Sequence, residues 1–357
     1  MTASVQQQVT KTAAVSVAYV GSLSRHLPMS VDENYPVFNT TTPSANTTAN
    51  ANTRRPYYNM VPTTIVNGVV TPTQELGIVY GVTSSQTSNY NAMQITFSQQ
   101  VTKGISFNGF YTWSKNLDSG VLNSSTPSST STVEDHDNLK IEKGPDDFDM
   151  RQVFGMSIVW VPNYFHNANR AVAGVLDGWH ISSVINLHSG TPFNIITGSD
   201  NNQDGNTTDR PTLNAGANPL ATNPVLSRSS RVNLVKQYFV PSFWTASTTV
   251  AEPAGTVFCG YSTSDPTGCP GVGPGGSDGA LRRNNYYAPG YRDVDLSLFR
   301  DFTIWQEMKL QARAEASNAF NLVSLGAPNA TLSSSSAGTI TSASPMREIQ
   351  LGVRLTF

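Results

Sequence analysis

Charge is scarce in this chain. Only 13% of its 357 residues are Asp, Glu, Lys or Arg, and the formal net charge is −2. That leaves no basic stripe for a nucleic acid to follow, so no nucleic-acid partner is expected. Cysteine is almost missing, with two residues, Cys259 and Cys269. A cysteine-dense disulfide scaffold is therefore excluded. The pair brackets a turn-rich stretch and could close one small disulfide loop in an oxidising compartment. Two unrelated free thiols are the alternative. Long apolar runs are missing too. No stretch approaches the roughly 18 apolar residues of a membrane helix. A transmembrane β-barrel is not excluded by this, because its alternating strands average out in hydropathy. Met1 to Thr10 has neither a basic n-region nor an apolar h-region, so an exported form is expected to come from a longer precursor. Helical periodicity is nearly absent.

Turn formers and alternation are abundant. Gly (27) and Pro (21) accompany many Ser, Thr and Asn residues, a composition of turns and long polar loops. The most informative stretch is Ile349–Phe357. Ile349, Leu351, Val353, Leu355 and Phe357 share one face, and Gln350, Gly352, Arg354 and Thr356 share the other. A strand with one oily and one polar face suits a wall between lipid and water, or the edge of a soluble sheet.

Similar segments recur at Ala13–Val20, Tyr90–Val101, Ile105–Lys115, Met150–Pro162, Gly178–Ile195, Tyr291–Phe302 and Glu307–Asn318. With Arg347–Phe357 this predicts about eight strands. Tyr90–Val101 and Ile105–Lys115 read as one hairpin around Thr102-Lys103-Gly104. The connectors at Thr102–Gly104 and Ile304–Gln306 are short, and Asn163–Asp177 is moderate. Leu122–Asp149, Thr197–Gly290 and Val323–Met346 are long. Counting back from a periplasmic carboxyl terminus puts every long connector on one side. The expected fold is all-β: an antiparallel up-and-down transmembrane β-barrel segment with long outer loops and short periplasmic turns.

This fold assigns faces. Lys309, Gln311, Arg313, Glu315, Gln350 and Arg354 would face a hydrated lumen, because a basic residue on the lipid side costs roughly 2–4 kcal/mol at mid-bilayer. Tyr111, Trp113, Trp160, Trp179 and Trp305 sit towards strand ends, as an aromatic girdle would. The alternative is that they are soluble core residues.

Several motifs then carry a resemblance. Tyr90-Asn91-Ala92-Met93-Gln94 is followed by Tyr111-Thr112-Trp113-Ser114-Lys115-Asn116-Leu117-Asp118 and Asp147-Phe148-Asp149-Met150-Arg151. Gly178-Trp179-His180-Ile181-Ser182 precedes Ser189-Gly190-Thr191-Pro192-Phe193. Asp293–Phe302 and Glu315-Ala316-Ser317-Asn318-Ala319-Phe320-Asn321 complete the order. Together they resemble the barrel of TonB-dependent receptors of the Oar-like type, from about Ala18 to Phe357. The resemblance implies the carboxy-terminal part of a barrel of about 22 strands. Signal peptide, plug and TonB box of such a receptor are not in this sequence, so a fragment is expected. Its implied partners are outer-membrane lipid, the remaining barrel strands and plug, the TonB complex through that plug, and the barrel-assembly machinery, with Phe357 as the terminal assembly signal. An autonomous small pore or anchor, and a secreted β-sandwich adhesin, are the rival classes.

Candidate sites are few. Asp200, Asn202, Asp204 and Asp209 follow the oxygen-ligand spacing of a calcium loop, although Pro211 stands where the bidentate Glu belongs. An Asx-rich turn without an ion explains the same residues. No other cofactor is expected. Glu134, Asp135, Asp137, Glu142, Asp146, Asp147 and Asp149 form an acidic run, expected to be a solvated loop, a loop bridged by divalent ions to lipopolysaccharide, or an outer mouth that attracts cations or a cationic ligand. His26, His136, His166, His180 and His188 have no metal spacing. Gly271–Gly279 lacks the Lys-Ser/Thr of a phosphate loop. No nucleophile elbow is present, so no enzymatic activity is expected.

Overall fold

A computed structural model describes residues 1–37, 46–58, 63–72, 76–102, 104–120, 133, 139–162, 177–201, 203–213, 235–239, 244–245, 281–305 and 307–357. One antiparallel sheet dominates. Its strands are β1 (Thr2–Gln8), β2 (Ala13–Asp32), β3 (Tyr80–Thr102), β4 (Ile105–Asp118), β5 (Gln152–Trp160), β6 (Trp179–His188), β7 (Tyr291–Trp305), β8 (Met308–Ser317) and β9 (Glu348–Thr356). Each pairs with its sequence neighbour, so the order is a plain meander, and the two-residue strand Gly144–Pro145 adds to the tip of β4. Among the described residues β1 and β9 are the free edges.

Nine long strands stand where the alternation predicts about eight. The extra one is β1, whose Thr-Ala-Ser-Val-Gln-Gln-Gln carries too few apolar residues to register as a strand. β2 and β3 continue well past the expected Ala13–Val20 and Tyr90–Val101, pairing as far as Asp32 with Tyr80. Their added lengths rise beyond the oily band: that of β3 is mostly polar, and that of β2 is broken by Arg25, His26 and Pro28 before it carries Met29 and Val31 into a loop-side core. Met150–Pro162 shortens to Gln152–Trp160, and Gly178–Ile195 ends at His188.

Local chemistry explains the turns. The β3–β4 turn needs Gly104, which has φ +81° and sits so close to the carbonyl oxygen of Val161 that a Cβ would collide with it. Asn67 and Gly68, both at positive φ, close the small hairpin Thr63–Val66 with Val69–Pro72. β2 bulges around His26, at φ 58°. Val9–Thr12, 103–104 and 306–307 are the short turns, and all three lie at one end of the sheet. The 161–178 connection joins that same end. The long connections 33–79, 119–151, 189–290 and 318–347 all leave from the other.

The soluble-type cores lie in those long connections and at the upper end of β2, beyond the oily band. Ile195, Tyr238, Phe239, Tyr286 and Ile340 form one, with Phe193 stacked on Phe239 at 6.2 Å. Met29, Val31 and Val133 form another against Leu139. No helix among the described residues is long and apolar enough to cross a membrane, which does not bear on a barrel.

Candidate functional site

Register fixes both faces of the wall. Directly paired residues share a face. The pairs Leu310–Leu355, Ala312–Val353, Ala314–Leu351 and Ala316–Ile349 put the oily sides of β8 and β9 together. The same face continues through Leu298 and Leu296 on β7, Ile181 and Ile185 on β6, and Phe154, Met156 and Ile158 on β5. It runs on through Phe107 and Tyr111, Phe97 and Ile95, Val15 and Val17, to Val5. One apolar surface thus crosses all nine strands, and much of it is open: Leu351 is 77% exposed and Val353 73%. A contiguous face of this size is a lipid contact surface.

The aromatics sit near the limits of this surface. Trp160 lies opposite Ile105, and Trp113 lies opposite Gln152. From the level of Ile105 to Trp113 is about 27 Å of strand at about 3.4 Å per residue. Tilted by about 40°, that length spans about 21 Å, near the roughly 25 Å band of outer-membrane barrels. Trp160, Trp179 and Trp305 occupy the short-turn end, and Trp113, with Tyr111 one step below it, the loop end. Arg300 is an exception that the alternation missed. It stands on the oily face near the short-turn end, its guanidinium 5.7 Å from the Trp179 ring and 4.8 Å from the Phe302 ring. Aromatic contact on both sides lowers the cost of a cation there.

The opposite face is mixed but polar. Lys309, Gln311, Arg313, Glu315, Gln350 and Arg354 all lie on it, with Gln311 paired to Arg354 and Glu315 to Gln350 in register. Arg313 and Glu315 form an ion pair at 2.6 Å, half exposed, and Gln311 Nε2 donates to Asp301 Oδ1 at 2.9 Å. Exposed pairs of this kind contribute little to stability. They matter as the lining of a hydrated face. Further along, Thr96, Ser98, Asn108, Phe110, Ser157 and Asn186 border a groove of about 470 Å³. His180 stacks on Phe299 at 4.5 Å and His188 on Tyr291 at 5.1 Å.

The long connections build a roof with buried charge. Here the solvated loop expected for the acidic run is corrected for three of its four described members, Glu142, Asp146 and Asp149, which are buried, while Asp147 is exposed. Arg210 donates from Nη1 and Nη2 to the Glu142 carboxylate at 3.2 Å, with both side chains enclosed. Arg283 donates from Nε to the Glu142 carbonyl at 3.1 Å, and pairs with Asp118 at the tip of β4 and with Asp147 at 3.3 Å. Burial pulls the Arg283 pKa down to about 10, so it remains charged at neutral pH. Tyr287 donates to Asp149 Oδ2 at 2.6 Å, and Arg151 donates from Nε to the Tyr287 oxygen at 2.8 Å. Burial, then the Asp149 hydrogen bond, push the Tyr287 phenol up to about 12. Asp147, still partly exposed, is raised from the ordinary carboxylate range mainly by burial. The basic halves of this network escaped the sequence. The one hint was the presence of Arg residues, Arg54, Arg55, Arg210 and Arg283 among them, inside long polar loops of a charge-poor chain. Glu134, Asp135, Asp137, His136, His166 and Gly271–Gly279 lie outside the described residues, as do Cys259 and Cys269.

The Asp200–Asp209 loop belongs to the same roof. Asp200 accepts the backbone N–H groups of Asp204 and Gly205, both at 3.0 Å. Asp204 accepts that of Asn206 at 2.6 Å, and Asp209 that of Asn201. Arg54 reaches the Gln203 carbonyl, and Arg55 the Asp204 carbonyl at 3.4 Å. Burial lowers the Arg54 pKa against the opposing pull of Asp200, Tyr35 and Asp204. Among the described residues no three His, Cys, Asp or Glu side chains are placed to hold a metal, and Asn202 lies outside them. Asp204 makes an Asx turn with the N–H two residues on, and Asp200 and Asp209 hold more distant N–H groups of the same loop.

A meander with one lipid-facing side, one polar side and all long loops at one end defines an outer-membrane β-barrel wall. The chain belongs to the outer membrane beta barrel domain family, which matches residues 1–350, and its place is the outer membrane. No curated protein matches it in sequence. Solved structures similar to it include the outer membrane transporter YddB from Escherichia coli, at 7% identity and TM-score 0.42 over 98% of this chain and 31% of that one. The siderophore receptor PiuA from Acinetobacter baumannii is similar at 7% and 0.38, over 96% and 26%. BauA, the ferric preacinetobactin receptor from Acinetobacter baumannii, is similar at 9% and 0.35, over 98% and 35%. The chain spans about a third of the length of these structures.

Proposed function

We propose that the chain is a sector of a TonB-dependent, Oar-like transporter barrel, and that it catalyses no chemistry. Its polar face lines the solute path, and its roof contributes ligand-binding outer loops. The partners in this role are further barrel strands, a plug, the TonB complex acting through that plug, and the barrel-assembly machinery. The direction of the two edge strands carries the proposal. In a meander of nine strands, β1 and β9 both run towards the short-turn end. Closing this sheet on itself needs a parallel seam, whereas bacterial barrels close antiparallel with even strand numbers. Left open in lipid, each unpaired edge group costs several kcal/mol. Pairing with additional strands removes both difficulties.

The test pairs cross-linking with uptake. Gln6→Cys and Gln350→Cys on the two edges, with Cys259 and Cys269 changed to Ser, give no intramolecular disulfide if the chain is a sector. Deleting its coding segment then abolishes the same solute uptake that loss of TonB abolishes. Efficient Gln6–Gln350 linkage in outer membranes, with uptake intact, refutes the proposal and leaves a self-closed small barrel.

A further inference from the structure

Two depressions adjoin on the polar face and share Val184, itself 45% exposed. The groove of about 470 Å³ across β3 to β6 has Gly155 and Val184 besides the six residues already named, with Phe97, Gly109 and Met156 as the floor between them. A second, of about 250 Å³, continues it onto β7 and β8. Ser182, Val184, Asp295, Ser297, Glu315 and Ser317 line it, over a floor of Ser183, Leu296 and Ala316. Register lays two parallel rows along this double groove. One is Phe110, Gly155, Asn186 and Asp293, and the other is Asn108, Ser157, Val184 and Asp295.

The chemistry changes along the rows. Phe110 is 44% exposed on a face that is otherwise mostly polar. A Cβ on its register partner Gly155 would collide with the Phe110 ring, so the glycine lets that ring lie against the wall as a platform. Next come Asn108, Ser157 and Asn186, all exposed, and among the described residues none of their side chains is hydrogen-bonded within the protein. Their amide and hydroxyl groups both donate and accept, as a peptide backbone does. At the far end stand Asp293 and Asp295. Asp295 Oδ1 accepts the Asn318 N–H at 3.0 Å, and among the described residues no Lys or Arg pairs with either carboxylate. Glu315 is matched by Arg313. The bases of this face, Lys309, Arg313 and Arg354, lie lower, towards the short-turn end. This end of the groove therefore favours a cation and repels an anion. From Phe110 to Asp293 is three strand spacings, about 14 Å at about 4.8 Å each. Four extended residues cover about 14 Å at about 3.5 Å per residue.

We propose, on the reading that the polar face lines the solute path, that its double groove takes a short extended peptide. An apolar ring of the peptide lies on Phe110, its backbone meets Asn108, Ser157 and Asn186, and a Lys or Arg side chain reaches Asp293 and Asp295. The solute class is then basic peptides of about four residues.

The experiment is isothermal titration calorimetry on the purified receptor that contains this chain, in detergent. The probes are three capped tetrapeptides: phenylalanyl-diglycyl-arginine, phenylalanyl-diglycyl-glutamate and triglycyl-arginine. The wild type should bind the first about tenfold or more tighter than the second, the scale of one charged hydrogen-bonded contact. Asp295→Asn, which keeps the acceptor for the Asn318 N–H, should remove most of that preference, and Asp293→Asn should act in the same direction. Phe110→Ala should bring the two arginine peptides to equal affinity. A wild type that binds no probe, or binds the glutamate peptide as tightly as its arginine counterpart, overturns the proposal without any variant. An arginine preference that survives both aspartate variants overturns it as well. Calorimetry needs no TonB, so the two readings fail separately. Lost arginine preference with TonB-dependent uptake intact removes only the peptide assignment, whereas arginine preference in a protein whose uptake ignores TonB removes only the transport role.

Discussion

Moving one arginine by one residue tests the assignment of faces. Met156 is the central residue of β5, on the oily side between Gly109 and Ile185. Ser157 follows it on the polar side, between Asn108 and Val184. Met156→Arg and Ser157→Arg add the same charge at the same depth. On the lipid side the penalty is roughly 2–4 kcal/mol at mid-bilayer, about 30- to 700-fold in the folding equilibrium at about 1.4 kcal/mol per tenfold. At Ser157, which is exposed, the change should stay within about 0.5 kcal/mol, as for most surface substitutions. The assay is guanidinium unfolding of the barrel that contains this chain, in phosphatidylcholine vesicles, followed by tryptophan emission and by heat-modifiable migration. Equal penalties, or a larger one at Ser157, would refute the face assignment.

The roof should fail independently of the wall. Arg210→Ala leaves Glu142 buried without its fork partner and should cost about 3–5 kcal/mol locally; hydrogen exchange should quicken in 139–149 and 281–287 while β5 and β6 stay protected, and unchanged exchange would sink the idea. Tyr287 gives the roof an alkaline limit. Its neutral phenol is favoured in the fold, so this contribution is complete below pH 10 and is lost as pH rises from 10 to about 12; Tyr287→Phe should erase that step in an alkaline unfolding profile, and an identical profile would refute it. Variants keeping only Trp113 or only Trp305 should be quenched best by lipids brominated near the headgroup; stronger quenching from the acyl-chain centre would contradict a girdle. Calcium should be dispensable, because backbone N–H groups already engage the loop aspartates and Arg54 adds a nearby positive charge; millimolar calcium protecting Asp200–Asp209 from protease would show otherwise.

What the sequence reveals follows from where period-2 selection acts. Between lipid and lumen every second residue must change character, so β4 and β8 are visible from composition alone. Above the membrane that demand ends, and the upper part of β2, around Ser24 and His26, looks like loop while remaining paired. β1 is hidden for a related reason: its outward row holds only Ala3, Val5 and Gln7. The roof is less visible still. Glu142 meets Arg210 across 68 positions and Arg283 across 141. No local pattern joins such partners, and Glu142 within an acidic run looks like a residue in water.

The distribution of polarity also decides between a membrane wall and a soluble sandwich. A sandwich buries its alternating face under a second sheet about 10 Å away, and its leftover charges stay in water. This chain does the reverse on both counts. Its largest apolar side chains line a wall that nothing among the described residues covers, with Leu351, Val353 and Trp305 among the most exposed. Its most deeply buried groups include Glu142, Asp149, Asp209, Arg210 and Arg283, all in the roof. Burying those charges is costly unless each is paired and hydrogen-bonded, and the fork of Arg210 on Glu142 meets that condition. Rigid polar loops above an oily wall suit a barrel whose outer surface is solvated by lipid and whose mouth must keep its shape in water. The same wall in water would be an aggregation surface well beyond the few hundred Å² that soluble proteins expose.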